Sequence, residues 1–502
     1  MPRPSADLLR PQDAFFLATE TARVQQHVAG LAMLDPSGRA EGPLTAAELA
    51  ARLAVRLDEL PRLRQKLVWP RPRWTRPVWV DDPDFDITRH VRGVTVAEPG
   101  GPAQLEDLVA TVMSRHLDRA RPLWQILLVD GLSDGRQAML LHLHHAVADG
   151  RGTLEIAARL FDTTPDARWP APPPWQARPA PAGLRLVWVA ARAQVAAAWG
   201  PWAATVTASM REPAVSWRRG VRTARGVWEL ARAGSAPPSP LNQPVTAERR
   251  ISLTEVPMAT IDTIRGAFGG TANDIVLTAI ADAVQHQVFH HADPPKGGSW
   301  RARRKARRQP ERPERLRVMI PVAVRPGHAK RAPGSWTSTL SIDVPAGPMD
   351  PVQRLAEVRA GTAKLKRSNQ HIGAAFVMSF VGRWAPTPLQ TAFARFAYRA
   401  HWFNLIVSVL RGTASPRYLV GARVVTAFPI VPLAEDVGLT AAALSWNGHL
   451  ALSLTAARAV VPDVPDLATG VVACIEELRR AAEERSGPQA GATATPPGRR
   501  PA

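Results

Sequence analysis

Cysteine is almost absent from this chain: Cys474 is the only one among 502 residues. A single cysteine excludes an intramolecular disulfide, and the shortage fits a reducing compartment. The first thirty residues also lack a continuous apolar segment, because Asp7, Asp13 and Glu20 interrupt it. We therefore expect no secretory signal peptide and a cytoplasmic location.

A long apolar run is missing as well. The stretch between Arg192 and Arg211 contains no charged residue and is long enough to raise the question of a membrane span. It consists mostly of alanine, contains Gln194 and is interrupted by Gly200-Pro201, whereas a membrane-spanning helix needs about 20 predominantly apolar residues. We predict that this stretch does not cross a membrane.

Acidic residues are in the minority, since 43 aspartates and glutamates stand against 63 lysines and arginines, and the formal net charge is +20. Lysine is scarce, so arginine supplies nearly all of the positive charge. Such an excess is typical of proteins that contact anionic lipid headgroups, the phosphates of an acyl carrier, or nucleic acid. It also arises in Arg-, Ala- and Pro-rich chains encoded by GC-rich genomes, so the charge alone does not choose a partner.

One segment, residues 296–315, is strongly basic. It fits a disordered surface loop, a patch that contacts a lipid surface, or a patch that contacts nucleic acid. No recognised nucleic-acid-binding fold surrounds it, so nucleic acid is the least favoured partner and we expect none.

The chain divides into two α/β halves. Residues 1–165 are predicted to form the first, in which the apolar run 138–144 is typical of a short buried strand. Residues 166–244 form a Pro-rich and helical linker, residues 245–484 the second half, and residues 485–502 a disordered tail. In the second half, we predict helices over 260–285 with a break at Gly269-Gly270, and a buried strand over 316–324.

Within the linker, residues 184–232 carry apolar side chains at a spacing near 3.6, which predicts helices. Arginines recur beside Trp217 and Trp228, at positions 211, 218, 219, 222 and 225. This combination is typical of an amphipathic segment at a membrane surface. It is equally compatible with a helix pair that bridges the two halves, and both interpretations stay open.

The strongest functional signal is the stretch His144-His145-Ala146-Val147-Ala148-Asp149-Gly150, which matches the pattern HHxxxDG. The pattern is typical of acyltransferases that move an acyl group from a thioester to a hydroxyl or an amine. A histidine with its ordinary pKa of about 6.5 can accept a proton near neutral pH. Asp149 can approach His145 only if the loop folds back, which Gly150 would permit. Because the motif follows the strand 138–144, it lies where a strand ends in a loop, a common place for catalytic residues.

Other histidines lack this context. His290-His291 is not followed by Asp-Gly at the same spacing, and we expect it on the surface. A metal site at His142, His144 and His145 is not expected, because no cysteine or glutamate occurs at ligand spacing.

Further motifs precede and follow HHxxxDG in a fixed order. In the first half they are 9–16, 61–66, 84–86 with His90, 117–119 and Pro122-Leu123-Trp124; in the second half they are 240–242, 249–250, 271–274, 321–325 and 350–355. Together with HHxxxDG, they make the chain resemble the bacterial wax ester synthase/diacylglycerol acyltransferase family over nearly its whole length.

The resemblance implies an α/β fold of two chloramphenicol acetyltransferase-like domains, joined by a long crossover linker and separated by a tunnel. It also implies an acyl-CoA-dependent O-acyltransferase. Acyl-CoA would be a co-substrate and no other cofactor would be needed. The acceptor would be diacylglycerol or a long-chain alcohol, and the enzyme would work at a membrane or lipid-droplet surface. The products would be triacylglycerol or wax ester.

The resemblance also assigns roles to residues. His145 would be the general base and His144 a supporting residue, while Asp149, beside Gly150, would organise the loop through an ion pair for which Arg325 is the candidate partner. Other residues are expected to contact substrate: Pro122, Leu123, Trp124, Asn273 and Asp274. For Asp274, the cap of the following helix is an equally good role.

One segment departs from the family pattern. Where the family usually has Asn-Leu-Val-Val-Ser-Asn-Val-Pro-Gly-Pro, residues 404–413 of this chain are Asn-Leu-Ile-Val-Ser-Val-Leu-Arg-Gly-Thr. The second asparagine and the two prolines are absent. Val409 lacks the side-chain amide of an asparagine, and Arg411 replaces a rigid proline with a charged side chain. The family places this segment near the active-site face of the second domain. The departure therefore leaves two alternatives: the same chemistry on another lipid or polyketide alcohol, or a catalytically weak protein that binds lipid surfaces.

Overall fold

The computed structural model describes residues 7–289, 314–323 and 337–486, except positions 173, 233 and 400. Several predictions from the sequence lie outside these residues. They concern the pair His290-His291, nearly all of the basic segment 296–315, Arg325, and the tail from residue 487 onward.

The N-terminal half alternates helices with strands, and two short 3-10 turns at Pro61–Arg64 and Ile87–Arg89 connect some of them. The elements are β1 (Asp7–Leu8), α1 (Pro11–Thr19), β2 (His27–Asp35), α2 (Ala46–Arg56), β3 (Gln65–Val68), β4 (Val78–Asp81), β5 (Val91–Thr95), α3 (Pro102–Met113), β6 (Trp124–Asp130), β7 (Gln137–His144) and α4 (Gly150–Leu160).

Two long helices follow, and then the C-terminal half, with a π-helical turn at Val284–Phe289. The elements are α5 (Gly183–Arg211), α6 (Pro213–Arg232), β8 (Arg249–Pro257), α7 (Met258–Phe268), α8 (Ala272–Ala283), β9 (Arg315–Ala323), β10 (Thr337–Pro345), α9 (Pro351–Arg367), α10 (Gln370–Trp384), α11 (Thr387–Ala397), β11 (Leu405–Arg411), β12 (Tyr418–Leu419), β13 (Ala422–Ile430), β14 (Leu439–Trp446), β15 (His449–Ala457) and α12 (Val464–Ser486).

Several of these elements confirm the predictions. The strand expected at 138–144 is β7. The strand expected at 316–324 is β9, which the structure describes up to Ala323. The expected break between α7 and α8 lies at Gly269 and Gly270, whose φ angles are +68° and +91°. These angles lie in a region that residues with a side chain rarely adopt, so glycine ends α7 there.

The linker helices differ from the prediction at one point. The break expected at Gly200-Pro201 is wrong, because α5 continues through both residues to Arg211. A proline inside a helix removes one backbone hydrogen bond, a local cost that a helix of 29 residues can absorb. The chain instead turns before Pro213, which begins α6, where a missing N–H costs nothing.

No helix in the described part of the chain combines the length and the apolar character that a membrane crossing requires. The helix pair instead bridges the two halves. Leu186 and Ala190 of α5 are buried against Val78 and Val80 of β4, while α6 packs on α10 of the C-terminal half. One of the two interpretations of residues 184–232 is thereby confirmed.

Two six-stranded sheets form the frame of the molecule. The first has the order β12-β13-β2-β7-β6-β5, the second the order β10-β9-β11-β14-β15-β8, and β1-β4-β3 form a small third sheet. Residues 418–430 belong by sequence to the second half but complete the first sheet. There β13 pairs antiparallel with β2 and covers an edge that would otherwise expose unpaired backbone groups.

The two halves also share a core. Leu31 and Leu140 of the first sheet pack with Phe428 of β13, and with Ile251 and Ala451 of the second sheet. This shared core holds β7, the strand that leads to HHxxxDG, against the C-terminal half.

Candidate active site

HHxxxDG lies where β7 meets α4. His144 is the last residue of β7, and the turn that follows ends at Asp149, directly before α4. Neighbouring strands hold the backbone of this turn: the amide of His144 donates to the carbonyl of Leu123 (3.0 Å), and the amide of His145 donates to the carbonyl of Gln26 (2.8 Å). The two histidines are therefore anchored on both sides of β7.

His145 is the more accessible of the two histidines. It is partly exposed, whereas His144 is buried. Its ring stacks on Phe16 of α1, with ring centroids 3.5 Å apart. Burial lowers the pKa of His145 to about 4, although the charge of Asp149 acts in the opposite direction. The imidazole is thus neutral at pH 7 and can accept a proton.

Asp149 caps α4. Its carboxylate accepts from the backbone amide of Gly152 (2.7 Å), and its carbonyl accepts from the amide and the hydroxyl of Thr153 (2.7 and 2.9 Å). Such a cap satisfies amides that the first helical turn leaves free. The ion pair with Arg325 remains a prediction, because Arg325 lies outside the described residues.

Gly150 does not have the special backbone geometry that the sequence led us to expect. It adopts ordinary helical backbone as the first residue of α4 and is not among the glycines with positive φ. A methyl group on its Cα would lie 3.5 Å from Leu410 Cδ1. This is ordinary van der Waals contact, so Gly150 marks the point at which α4 approaches β11.

His144 faces a buried carboxylate. Its Nδ1 accepts from the backbone amide of Ala146 (2.9 Å), and its Nε2 lies 3.5 Å from Glu20 Oε2. The same carboxylate contacts His27 Nε2 at 3.1 Å and forms an ion pair with Arg119. His144 is thus a supporting residue whose ring is held at Nδ1 by the backbone of its own turn and faces the Glu20 carboxylate through Nε2.

Glu20, His27 and His144 offer ligand atoms within 4.8 Å of one another, a spacing that could hold a metal ion. The hydrogen bonds favour another use of these groups. An amide can only donate, so Nδ1 of His144 carries no proton and the ring proton lies on Nε2, the atom that a metal would need. Arg119 also forms an ion pair with this carboxylate and so already compensates its negative charge. The donor set fits a hydrogen-bonded cluster better than a cation site.

Leu123 and Trp124, predicted to contact substrate together with Pro122, have buried side chains. Trp124 donates from Nε1 to the carbonyl of Leu63 (2.7 Å) and stacks on His90. Leu123 supports His144 through the backbone bond described above. The described contacts of this motif are with the protein, and its contact with substrate remains a prediction.

Asp274 forms a capping box at the start of α8. Its Oδ2 accepts from the amide and the hydroxyl of Thr271, both at 2.8 Å, and its Oδ1 accepts from Thr362 (2.7 Å). The capping role left open by the sequence is therefore confirmed. Asn273 precedes it in the first turn of α8, half-buried, and its predicted contact with substrate remains a prediction.

The divergent segment 404–413 forms β11, which runs parallel to β14. Asn404 is fully buried and holds the strand in place: its Oδ1 accepts from the amide of Arg317 (2.8 Å), and its Nδ2 donates to the carbonyl of Pro237 (2.7 Å). Further along, Leu410 meets Gly150 of the motif. The segment is therefore at the site, as the resemblance implies.

The sequence did not single out four residues of the site: Phe16, Glu20, His27 and Arg119. They lie far from HHxxxDG along the chain, and no spacing rule connects them to it. Phe16 and Arg119 each had one signal, their places in the motifs 9–16 and 117–119.

Solved structures with a similar fold include an acyltransferase and a condensation domain. The wax ester synthase/diacylglycerol acyltransferase from Marinobacter aquaeolei matches 95% of this chain and 99% of its own, with a TM-score of 0.63 and 21% identity. The starter condensation domain of rhizomide synthetase matches 95% of this chain and 94% of its own, with a TM-score of 0.54 and 12% identity. At these identities the matches show the fold class, two chloramphenicol acetyltransferase-like domains.

The sequence comparison is more specific. Residues 9–276 match the wax ester synthase/diacylglycerol acyltransferase catalytic domain, and residues 334–479 match the C-terminal domain of the same family. A putative diacylglycerol O-acyltransferase of Mycobacterium tuberculosis is 30% identical over 499 residues, which cover 96% of this chain and 98% of the relative. The chain belongs to the wax ester synthase/diacylglycerol acyltransferase family.

The environment of His145 predicts an unusual pH profile. Since burial lowers its pKa to about 4, kcat/KM should stay constant from pH 8 to below pH 6 and fall only at more acidic pH. An ordinary histidine base would lose activity near its pKa of about 6.5. The measurement is kcat/KM for acyl transfer against pH, and an acid limb at or above pH 6.5 would contradict the buried environment.

The control for this profile is circular dichroism at each pH. His27, His142 and His144 also have lowered pKa values, chiefly because of burial. The unfolded chain therefore binds protons that the folded chain does not, so the free energy of unfolding decreases as pH falls from about 6.5. Only pH values at which the enzyme stays folded enter the profile.

Proposed function

We propose that this protein is an acyl-CoA-dependent O-acyltransferase. It transfers a long-chain fatty acyl group to the hydroxyl of diacylglycerol, of a long-chain alcohol, or of both, and so makes triacylglycerol or wax ester. The observation that carries the proposal is His145, a neutral, accessible imidazole anchored at the end of β7 in a chain of this family.

The mechanism needs one base and no covalent enzyme intermediate. His145 takes the proton of the acceptor hydroxyl as that oxygen attacks the thioester carbonyl carbon. The tetrahedral intermediate then collapses, the carbon–sulfur bond breaks, and the thiolate of CoA takes the proton back from His145. General-base catalysis of this kind contributes roughly 10²–10⁴-fold to the rate, and the holding of both substrates side by side supplies much of the rest.

An apolar cavity beside the motif supports the lipid nature of the substrate. It lies between α4 and the first sheet, and β11 and β14 contribute to its wall. Its lining includes Gly150, Thr153 and Ala157 of α4, Phe428 of β13 and Leu410 of the divergent segment. The hydroxyl of Thr153 already donates to the carbonyl of Asp149, so the wall is effectively apolar.

We assign this cavity to the acyl chain of the donor. A single unbranched chain fits a groove enclosed by a helix and a sheet, whereas diacylglycerol brings two chains. Leu410 of the divergent segment lines this cavity. The altered residues 409–413 therefore bear on the choice of acyl chain as well as on the choice of acceptor.

Acyl transfer is tested directly with purified protein, labelled palmitoyl-CoA, and either diacylglycerol or hexadecanol. We expect ester product, and His145→Ala should lose about 10²-fold or more of the rate, because it removes the base. His401→Ala, which removes an exposed histidine, is the control and should keep its activity.

The outcomes separate the alternatives. Full activity in His145→Ala overturns the mechanism. Product with other alcohols only would favour the same chemistry on a different acceptor. No product with any lipid alcohol, together with intact binding to vesicles, would favour a lipid-surface binding protein.

Filling the cavity should shorten the preferred acyl chain. Ala157→Phe places a ring in the cavity, so kcat/KM should fall for palmitoyl-CoA and stay near wild type for butyryl-CoA. Ala158→Phe is the matched control, because residue 158 follows on the same helix but is exposed. An equal loss for short and long donors would contradict the assignment of the cavity to the acyl chain.

The surface near the linker supports contact with a lipid surface. Exposed apolar residues, mostly aromatic, cluster on the helices that meet there: Leu184, Trp188, Val195, Trp199, Met210, Trp217, Trp228, Phe376, Phe380, Trp384, Leu389 and Phe396. The helices form one surface, since Trp199 of α5 contacts Trp384 of α10, and α6 and α10 approach closely at Gly226 and Gly373. A contiguous exposed apolar surface is typical of a site that contacts another protein, a ligand or a membrane.

The charge of α6 suits an anionic membrane or a lipid-droplet surface. Arg218 and Arg219 are exposed beside Trp217, an arrangement in which tryptophan enters the interface and arginine contacts headgroups. We therefore propose that the protein associates peripherally with lipid surfaces through these helices.

Binding to vesicles that contain phosphatidylglycerol should weaken as salt rises, because exposed charges are screened over about 8–10 Å near physiological ionic strength. The double variant Arg218→Ser, Arg219→Ser should weaken binding further at low salt. The double variant Arg480→Ser, Arg485→Ser removes two exposed arginines from α12 and should bind as wild type does. Cosedimentation measures all three, and salt-insensitive binding would contradict the role of arginine and point to the tryptophans alone.

A further inference from the structure

We infer that Glu20 is a positioning residue for acyl transfer: its buried carboxylate orients His144 and so holds the turn that carries the base, His145. The inference deepens the proposed function and rests on it. Glu20 directly follows α1 in the chain, and two of the histidines that it contacts, His27 and His144, lie on β2 and β7.

The first line of support is the protonation of His144. Since the amide of Ala146 donates to Nδ1, the ring proton must lie on Nε2, the nitrogen that faces Glu20. A carboxylate, which only accepts, is the group that suits this nitrogen. The ring of His144 is thereby bonded to the backbone of its own turn at Nδ1, and its Nε2 faces Glu20 at ion-pair distance.

A second chain of contacts reaches Glu20 through two more histidines. Arg92 donates to the carbonyl oxygen of the Gln125 side chain (3.1 Å), so the amide nitrogen of Gln125 faces His142 Nδ1 (3.0 Å). His142 must then carry its proton on Nε2, which donates to His27 Nδ1 (3.0 Å). By the same reasoning His27 carries its proton on Nε2, 3.1 Å from Glu20 Oε1.

The charge of Glu20 is compensated. Arg119 forms an ion pair with Oε2, and His116 lies 3.3 Å from Oε1. Burial by itself raises the pKa of Glu20, but the contacts with His144, His27 and Arg119 outweigh it and hold the pKa well below its ordinary range. A buried carboxylate with these partners stays ionised and can serve as a fixed acceptor.

Both ends of the cluster connect to His145. The amide of His145 donates to the carbonyl of Gln26, the neighbour of His27, and Ala146, which bonds to His144, is the next residue after His145. His145 therefore lies between two backbone contacts, one to the neighbour of His27 and one to His144. Both of these histidines contact Glu20. A misplacement of about 1 Å at a reacting group can cost about 100-fold in rate, so this support has a functional consequence.

Glu20→Gln tests the inference. The amide keeps the shape of the side chain but presents an NH₂ group to at least one donor among His27, His144 and Arg119. We expect kcat to fall about 10–100-fold with KM for palmitoyl-CoA unchanged within about twofold, because the base is misplaced while the acyl cavity is intact. Glu20→Asp retains the charge and should recover part of the lost kcat.

The matched control is Glu106→Gln. Glu106 of α3 is partly buried and accepts from the amide of Leu253 and the hydroxyl of Ser252, away from the histidines. It should leave kcat at the wild-type value. Comparable melting temperatures of the two glutamine variants exclude general destabilisation as the cause of a difference.

Nitrogen-15 NMR of histidine-labelled protein supplies a readout that does not depend on activity. Wild type should show His27 and His144 protonated at Nε2 only, and Glu20→Gln should alter these signals. If Glu20→Gln does not fold, Arg119→Gln replaces it, because Arg119 is half exposed and its loss releases the same carboxylate. Wild-type kcat in the folded variant would overturn the inference, as would unchanged histidine signals.

These results are distinct from failure of the proposed function. If the wild type formed no ester, acyl transfer itself would be wrong. If the wild type were active and His145→Ala inactive while Glu20→Gln kept its full kcat, only the role of Glu20 would be wrong.

Discussion

The register of β7 between β2 and β6 is the constraint on which the rest of the site depends. It places His144 opposite His27 and aligns Leu123 with the end of the strand. Side chains alternate between the faces of a sheet, so a shift of one residue would turn His144 and His142 to the other face. The buried cluster, the turn and the start of α4 all follow from this one pairing.

The cluster at the end of β7 shows how the interior accepts polar groups. His27, His142 and His144 are buried almost completely, and an unpaired polar group there would be costly. Both nitrogens of His142 and the Nδ1 atoms of His27 and His144 have hydrogen-bond partners. The Nε2 atoms of His27 and His144 face the carboxylate of Glu20, whose charge Arg119 balances. Polar groups satisfied in this way favour a single arrangement, which is what a catalytic turn requires.

The two halves are joined more closely than two independent domains would be. Strand β13 belongs to the second half by sequence and to the first sheet by pairing, and Phe428 packs into a core that both halves share. The cavity beside HHxxxDG uses this junction, since residues of α4, β2 and β7 from the first half and of β11, β13 and β14 from the second half line it. Residues 404–413, which depart from the family pattern, can therefore influence the site that begins at the end of β7.

Much of the fold and the centre of the site could be predicted. Local patterns carry the identity of β7, the break between α7 and α8, and the capping box of Asp274, because these depend on neighbours within a few residues. The spacing of HHxxxDG and the order of the accompanying motifs led to the family and to His145. The break predicted at Gly200-Pro201 was wrong, since the propensity of two residues did not outweigh a long helix that packs on both halves.

The sequence by itself determined which residue can act as the base, where along the chain it follows a strand, and the class of chemistry that such a motif performs. Only the tertiary structure decided what surrounds it. Phe16, Glu20, His27 and Arg119 reach the motif from distant positions, because strand pairing and core packing, and not sequence spacing, bring them there. The lowered pKa of His145 has the same origin, since burial is a property of the folded chain. The meeting of Gly150 with Leu410 likewise exists only because β11 is packed against α4.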